Sequence, residues 1–424
     1  MNQALLEAIR QSAHPLRTHV ADACTRDLQP LKEMLSGVRI IGLGESTHGT
    51  REIFQLKHRL TRFLVEEMGF RVFSIEAGIE PCRAIDDYVM MGKGDKYRAL
   101  SAQGYWTWDT AEVMDMIDWM REHNLRCRRG DECRFFGFDM KPIEGACDAL
   151  LDFLHPLAGG DFSRLEEIVM QSRGTVWMNK GQSISDIFYL LGWLRAHEYE
   201  LIDGSCPQAY QLALENAHYI SQYISCMAGY VENPAASNRD RDFYMAENVT
   251  RLLDTLPAGS KLIVWAHNGH IAVDEEWKNL GWELRQRYGS LYYPCAIGFG
   301  AGGFQSRLMS EQNFEDIGGM VMHSLCGFSV DAPVPGSWDE DLNTAFSHSA
   351  YLDLRTQLRN NVECRAWLAQ KKPLLSIGAA YNPAAKPEQW AQMFCQNCVL
   401  GESFDGLFFL KSVQRARPNI NGQR

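Results

Sequence analysis

Apolar positions along this chain change their spacing at intervals, and each change marks an element. From Val38 to Leu43 the run is almost continuously apolar, the pattern of a strand buried on both faces. Ile53, Leu56, Leu60, Phe63 and Leu64 then follow the three- and four-residue spacing of a helical stripe. This spacing predicts a helix over 51–67, opened by Thr50 and ended by Gly69. The next apolar run, Arg71-Val-Phe-Ser-Ile75, predicts a second strand that stops at Glu76-Ala-Gly78. Strand, helix and strand within about 40 residues make a βαβ unit, so the two strands should run parallel.

The same reading extends along the chain. Residues 1–35 predict one or two outer helices, and further helices fall at 79–91 and 110–124 around an aromatic loop (Tyr105, Trp106, Trp108). A third strand, Cys133 to Phe138, ends at Asp139. From 142 to 258 the pattern is helical, broken near 157–160, 174, 204–207 and 229–235, with no strand in it. Lys261 to Ala266 restores the sheet and ends in His267-Asn-Gly-His270. A helix at 275–288, strands at 292–298, 373–377 and 404–410, and short β-like runs at Gly319–His323 and Phe328–Val330 complete the pattern. The polar tail from Val413 reads as fraying. The expected fold is α/β, a mainly parallel central sheet flanked by helices with an inserted all-helical subdomain. Its divisions are 1–141 and 259–424 for the sheet domain and 142–258 for the insertion.

Composition narrows the partners. At 424 residues the chain can bury a sizeable core, and 46% hydrophobic with 22% charged residues is ordinary for a globular protein. A formal charge of −11 argues against nucleic acid and against an anionic membrane surface. No apolar stretch approaches the roughly 18 residues of a membrane span. Met1 to Ala13 mixes acidic and basic residues rather than following the basic-then-apolar order of a signal peptide. The twelve cysteines are irregularly spaced and mostly apolar in context, so they read as free thiols in a reducing cytoplasm. Cys395-x-x-Cys398 has no second pair to make a zinc site.

Titratable groups change the picture more than composition does. Four predicted strands each end in one: Glu45 and His48, Glu76, Asp139, and His267 with His270. If those strands are parallel, all these groups reach one edge of the sheet, where open α/β sheets bind ligands. Each also has a structural reading: a helix-dipole acid for Glu45, a carbonyl-bonded imidazole for His48, caps for Glu76 and Asp139. Motifs that would supply other chemistry are missing, namely G-x-S-x-G, a Walker loop, G-x-G-x-x-G and H-E-x-x-H. What remains is carboxylates beside imidazoles, the equipment for general-base activation of water. His267 and His270 could assist by donating to an oxyanion. The same histidines and glutamates would also serve a zinc, iron or manganese ion that supplies hydroxide.

At these residues the chain resembles the erythromycin esterase family. The resemblance runs through Gly42-Leu-Gly-Glu-Ser-Thr-His-Gly49, Glu52, Lys57-His-Arg59, Gly69-Phe70, Ile75-Glu76 and Trp106-Thr-Trp108. It continues in Trp119-Met-Arg121-Glu-His-Asn124, Phe136-Gly-Phe-Asp139, Arg241-Asp242, Met245-Ala246, Ala266-His-Asn-Gly-His270 and Phe404-Asp-Gly406. It implies metal-independent hydrolysis of a macrolactone or other carboxylic ester in a deep cleft, with no cofactor. His48 would activate water, Glu45, Glu76, His267 and His270 would surround it, and Ser46 would be a bystander. Lys57, Trp106, Trp108 and Asp139 are the candidates for contact with the substrate, and the helical insertion would shape one wall. Resistance enzymes of the family carry arginine where this chain has Lys57, which keeps the charge and loses the bidentate fork. The alternatives are an acyl-transfer, cyclisation or dehydration enzyme using the same site, or a haem- or metal-binding protein using His267 and His270. The sequence is silent on oligomeric state.

Overall fold

The computed structural model describes residues 1–174, 180–228, 230, 233–309, 324–356 and 358–419. Its strands are β1 (His14–Pro15), β2 (Ile40–Leu43), β3 (Val72–Gly78), β4 (Arg134–Asp139), β5 (Leu262–Trp265), β6 (Tyr292–Leu308) and β7 (Leu325–Val330). They continue with β8 (Ala350–Asp353), β9 (Lys371–Leu375), β10 (Ala380–Tyr381), β11 (Cys395–Val399) and β12 (Gly406–Val413). Ten of them form one sheet whose path is β1-β8-β12-β6-β2-β5-β3-β4. From β12 to β4 every pairing along that path is parallel. The α/β fold with a mainly parallel sheet is therefore as read from the periodicity.

β2 and β3 run parallel, as the helix between them requires, but β5 lies between the two and pairs with both. The late strand completes the centre of the sheet after the long helical excursion. Its four residues, Leu262-Ile-Val-Trp265, are all buried, which fits a strand covered on both faces. One cover is the helix Arg51–Met68, whose Ile53, Leu56, Leu60, Phe63 and Leu64 enter the core and whose end at Gly69 adopts a left-handed φ of 75°. The other includes the helix Pro234–Asp254, where Met245, Ala246, Val249 and Leu253 pack with Leu262 and Val264. The helices Glu144–Leu154, Phe162–Ser172, Lys180–Ala196 and Pro207–Met227 instead contribute to a separate apolar cluster built around Leu150, Leu165, Leu194 and Ala217.

Several elements differ from expectation for local reasons. The strand expected over 292–298 runs on to Leu308, because small residues at 300–303 let it pass closely against β12 and turn to meet β7. The strand expected at 373–377 belongs to a separate two-stranded sheet with β11, where Pro373 is tolerated at an edge. The helix expected at 275–288 begins only at Leu280, capped by the Asn279 side chain. Residues 413–419 do not fray. Gln414 N–H donates to Glu52 Oε2 (2.5 Å) and Arg417 Nε to Glu112 Oε1 (2.8 Å), fastening the tail across two helices. Gly319–His323 lies outside the described residues. All twelve cysteines are free thiols, and among the described residues no helix is long and apolar enough to cross a membrane.

Candidate active site

The parallel strands deliver their C-terminal groups to one edge. β2 ends at Leu43, and the loop after it has no room for side chains at two points. A Cβ at Gly44 would collide with Asn268 Oδ1, and one at Gly49 with the backbone of Gln305. Asn268 needs that space, since it accepts from Ile297 N (3.2 Å) and donates to Ile297 O (3.1 Å), joining the end of β5 to β6 across β2. The loop Gly44–Gly49 is thus held between two neighbours, with Ile377 N donating to Ser46 O (2.8 Å).

Within this loop Glu45 is fully buried and accepts three side-chain donors. Its Oε1 lies 2.6 Å from His48 Nδ1, and its Oε2 takes Lys57 Nζ at 2.8 Å and Trp265 Nε1 at 2.9 Å. A carboxylate on Nδ1 assigns the imidazole proton to that nitrogen and leaves Nε2 as the base. Lys57 itself is completely buried, its ammonium 4.4 Å from the centre of the Trp265 ring. Burial brings its pKa down to about 8 even though Glu45 opposes the shift.

His267 stands next to His48, ring centres 5.0 Å apart. Gly269 N–H donates to His267 Nδ1 (3.2 Å), so the neutral ring carries its proton on Nε2, which has no acceptor in the structure. Burial, then the charges His48 and His270 can carry, depress its pKa to about 3. His267 is a neutral donor.

His270 is the opposite case. Its Nδ1 is 2.6 Å from Asp242 Oδ1 and its Nε2 3.2 Å from Glu76 Oε1. Burial alone would lower its pKa, but Asp242 and Glu76 outweigh it and raise it to about 10. Burial likewise opposes ionisation of Glu76, yet His270 and Arg241 hold it well below the usual carboxylate range. Arg241 Nη2 reaches Glu76 Oε1 (2.8 Å) and Asp139 Oδ2 (2.5 Å), and its Nε also reaches Asp139 (3.1 Å). Tyr105 Oη donates to Asp139 as well (3.2 Å). Arg241 Nη1 lies 3.3 Å from His270 Nε2. With both groups cationic this is a like-charge approach bridged by Glu76 Oε1, not a hydrogen bond.

The structure brings Glu45, His48, Glu76, His267 and His270 together. It places the expected substrate contacts less directly. Lys57, Asp139 and Trp108 have relative exposures of 0%, 0% and 2%, so each is enclosed by protein. Lys57 positions Glu45, Asp139 holds Arg241, and the Trp108 indole donates to Glu76 O (2.8 Å) while its ring meets His48 edge-on. Trp106 is partly exposed. Ser46 Oγ is buried without a partner. Both nitrogens of His270 lie against carboxylates, whereas His267 Nε2 has no partner. Among the described residues no three His, Cys, Asp or Glu side chains are grouped as metal ligands.

Arg241, Asp242 and Tyr105 were not among the expected site residues. A signal for Asp242 exists: on its helix it shares a face with Met245, Ala246 and Val249, and a charge on a buried stripe calls for a partner.

Comparison with known proteins agrees with this architecture. A family model described as erythromycin esterase matches residues 65–413. The Bacillus subtilis (strain 168) protein YbfO, a hydrolase by name only, is 28% identical over 291 residues, which cover 62% of this chain and 62% of that protein. The erythromycin esterase type II of Escherichia coli is 23% identical over 290 residues, 62% of this chain and 68% of that one. A mutant of the erythromycin esterase EreC, solved in its open conformation, superposes with a TM-score of 0.69 at 17% identity over 97% of this chain and 99% of the other. That likeness concerns the fold, whereas the family model spans most of the sequence and takes in Glu76, Asp139, Arg241, His267 and His270, though not Glu45, His48 or Lys57. The chain belongs to the erythromycin esterase family.

Proposed function

We propose that this protein hydrolyses a small-molecule carboxylic ester or lactone, with His48 activating the attacking water without a metal. The observation that carries this reading is the Glu45–His48 contact of 2.6 Å, with the second oxygen of Glu45 held by Lys57 and Trp265. His48 Nε2 takes a proton from water as the oxygen attacks the carbonyl carbon. Glu45 receives the Nδ1–H and steadies the imidazolium that forms, a contribution of about 10²–10⁴ in rate. The unpartnered Nε2–H of His267 is placed to donate to the developing oxyanion. Glu76, Arg241 and His270 supply a fixed field beside it, and the proton taken up by His48 passes to the departing alkoxide as the tetrahedral intermediate collapses. The names of the relatives point to macrolides, but burial of Lys57 removes it from substrate recognition, so the identity of the ester must come from other residues.

Hydrolysis in ¹⁸O-water tests the reaction class. A panel of simple esters and macrolides should give acid carrying one solvent oxygen, with the same rate before and after treatment with chelator. Turnover that depends on added metal would contradict the mechanism, and a product without solvent oxygen would favour acyl transfer. The near-burial of His48 and His267, 8% and 7% exposed, gives that second reading its basis, because it limits access of bulk water.

A further inference from the structure

The helix Pro234–Asp254 carries Arg241 and Asp242, and two turns further on it is fixed by amides that the mechanism does not use. Arg241, Met245 and Asn248 are spaced four and three apart, so they share one face. At one end of that face Arg241 Nη2 reaches Asp139 Oδ2 (2.5 Å), and at the other Asn248 Nδ2 donates to Phe138 O (3.1 Å). The helix thus grips the last two residues of β4 at two points.

Asn248 also faces away from the sheet, to the helix Pro207–Met227. Its Nδ2 donates to Gln222 Oε1 (3.0 Å), and Gln222 Nε2 donates back to Asn248 Oδ1 (3.0 Å). The two residues are only 1% and 5% exposed. Ala213, Ala217, Ile220 and Ile224 of the Gln222 helix belong to the separate apolar cluster, whereas Met245, Ala246 and Val249 pack on the sheet, so the amide pair joins two cores. Apolar burial is non-directional and fixes register weakly. A reciprocal amide pair is directional, because a slip leaves buried donors and acceptors without partners. Register matters at the other end of the helix, where Asp242 Oδ1 takes His270 Nδ1 (2.6 Å) and Leu280 N (3.1 Å).

We propose that Gln222 and Asn248 are positioning residues, whose amide pair sets the register of the helix Pro234–Asp254 so that Arg241 and Asp242 meet Glu76 and His270. Neither touches the reacting atoms, and the expected effect on rate rests on the hydrolase reading above. The competing account is packing alone, in which loss of the pair costs stability and leaves the site as it was.

Asn248→Leu alone strands the Gln222 amide in the core, so the informative variant is Gln222→Met with Asn248→Leu, which replaces both partners by apolar side chains of similar size. It should unfold cooperatively yet lower kcat by about 10- to 100-fold on any ester that is turned over, with KM changed little. In imidazole ¹⁵N spectra the deprotonation midpoint of His270 should fall by about 1–3 pH units as Asp242 draws away. The exchanged pair, Gln222→Asn with Asn248→Gln, should recover much of both. Gln222→Met alone leaves Asn248 on Phe138 O, should shift both readouts in the same direction by less, and serves if the double variant does not fold. Wild-type kcat and an unmoved His270 midpoint in either variant would overturn the proposal in favour of packing. So would a fall in kcat with the midpoint unmoved, since the effect would not run through Asp242. A moved midpoint in a protein that cleaves no ester would uphold the positioning role and sink the hydrolase reading.

Discussion

The two halves of the site handle buried charge in opposite ways. On the β2 side one carboxylate, Glu45, is shared among His48, Lys57 and Trp265, and the imidazole it holds keeps its second nitrogen unbonded among the described residues. On the β3–β5 side three carboxylates, Glu76, Asp139 and Asp242, are tied to Arg241 and His270, and both His270 nitrogens are occupied. Both halves combine carboxylate, imidazole and a basic side chain. One arrangement can move a proton; the other holds its protons and provides a constant field. A histidine's role here is set by how many carboxylates reach it, one for His48, two for His270 and none at the side chain of His267.

The largest effect that would break this comparison is at His48. His48→Asn should lower turnover by about 10²–10⁴ while shifting unfolding free energy by less than about 1 kcal/mol, as read from ester assays and urea denaturation. A large stability loss would mean that the β2 side is structural too. The reverse is expected across the cleft. Arg241→Met strands Glu76 and Asp139 in a buried setting and should cost about 3–5 kcal/mol of stability by the same denaturation measurement. A variant as stable as the wild type would show that this network does not hold charge as described.

Lys57 sharpens the β2 half through pH. With its pKa near 8 against 10.5 unperturbed, it loses its proton in the folded state before the unfolded chain does. Between those values the unfolded state binds more protons, so this group's contribution to stability rises with pH. Activity should fall over the same range, because neutral Lys57 no longer fixes Glu45. Lys57→Arg should carry the alkaline fall in kcat/KM to higher pH. An unchanged profile would remove Lys57 from the positioning of Glu45. The smallest change is Tyr105→Phe, which deletes one of the bonds to Asp139 and should cost about 1 kcal/mol with little effect on turnover.

Much of this was legible in the sequence, and what was not has a physical cause. Glu45, His48, Glu76, His267 and His270 could be found because apolar runs locate strands and parallel strands share an edge. The adjacency of β5 to β2 was hidden, since strand order depends on pairing across more than two hundred residues. Arg241 and Asp242 sit on the helix Pro234–Asp254, far from any strand end, and reach the site only because that helix packs on the sheet. Lys57 and Asp139 read from their motifs as substrate contacts. Motif position does not report depth, and both are fully buried. The tail at 413–419 looked frayed by composition, whereas Gln414 and Arg417 are held by Glu52 and Glu112 on helices distant in sequence.

Imidazole ¹⁵N chemical shifts measure directly whether one half of the site moves protons while the other holds charge. At pH 8, His270 should be doubly protonated and remain so until near pH 10, while His267 should be neutral with its proton on Nε2 down to about pH 3. A neutral His270 at pH 8, or a His267 that takes up a proton near pH 6.5, would contradict the account.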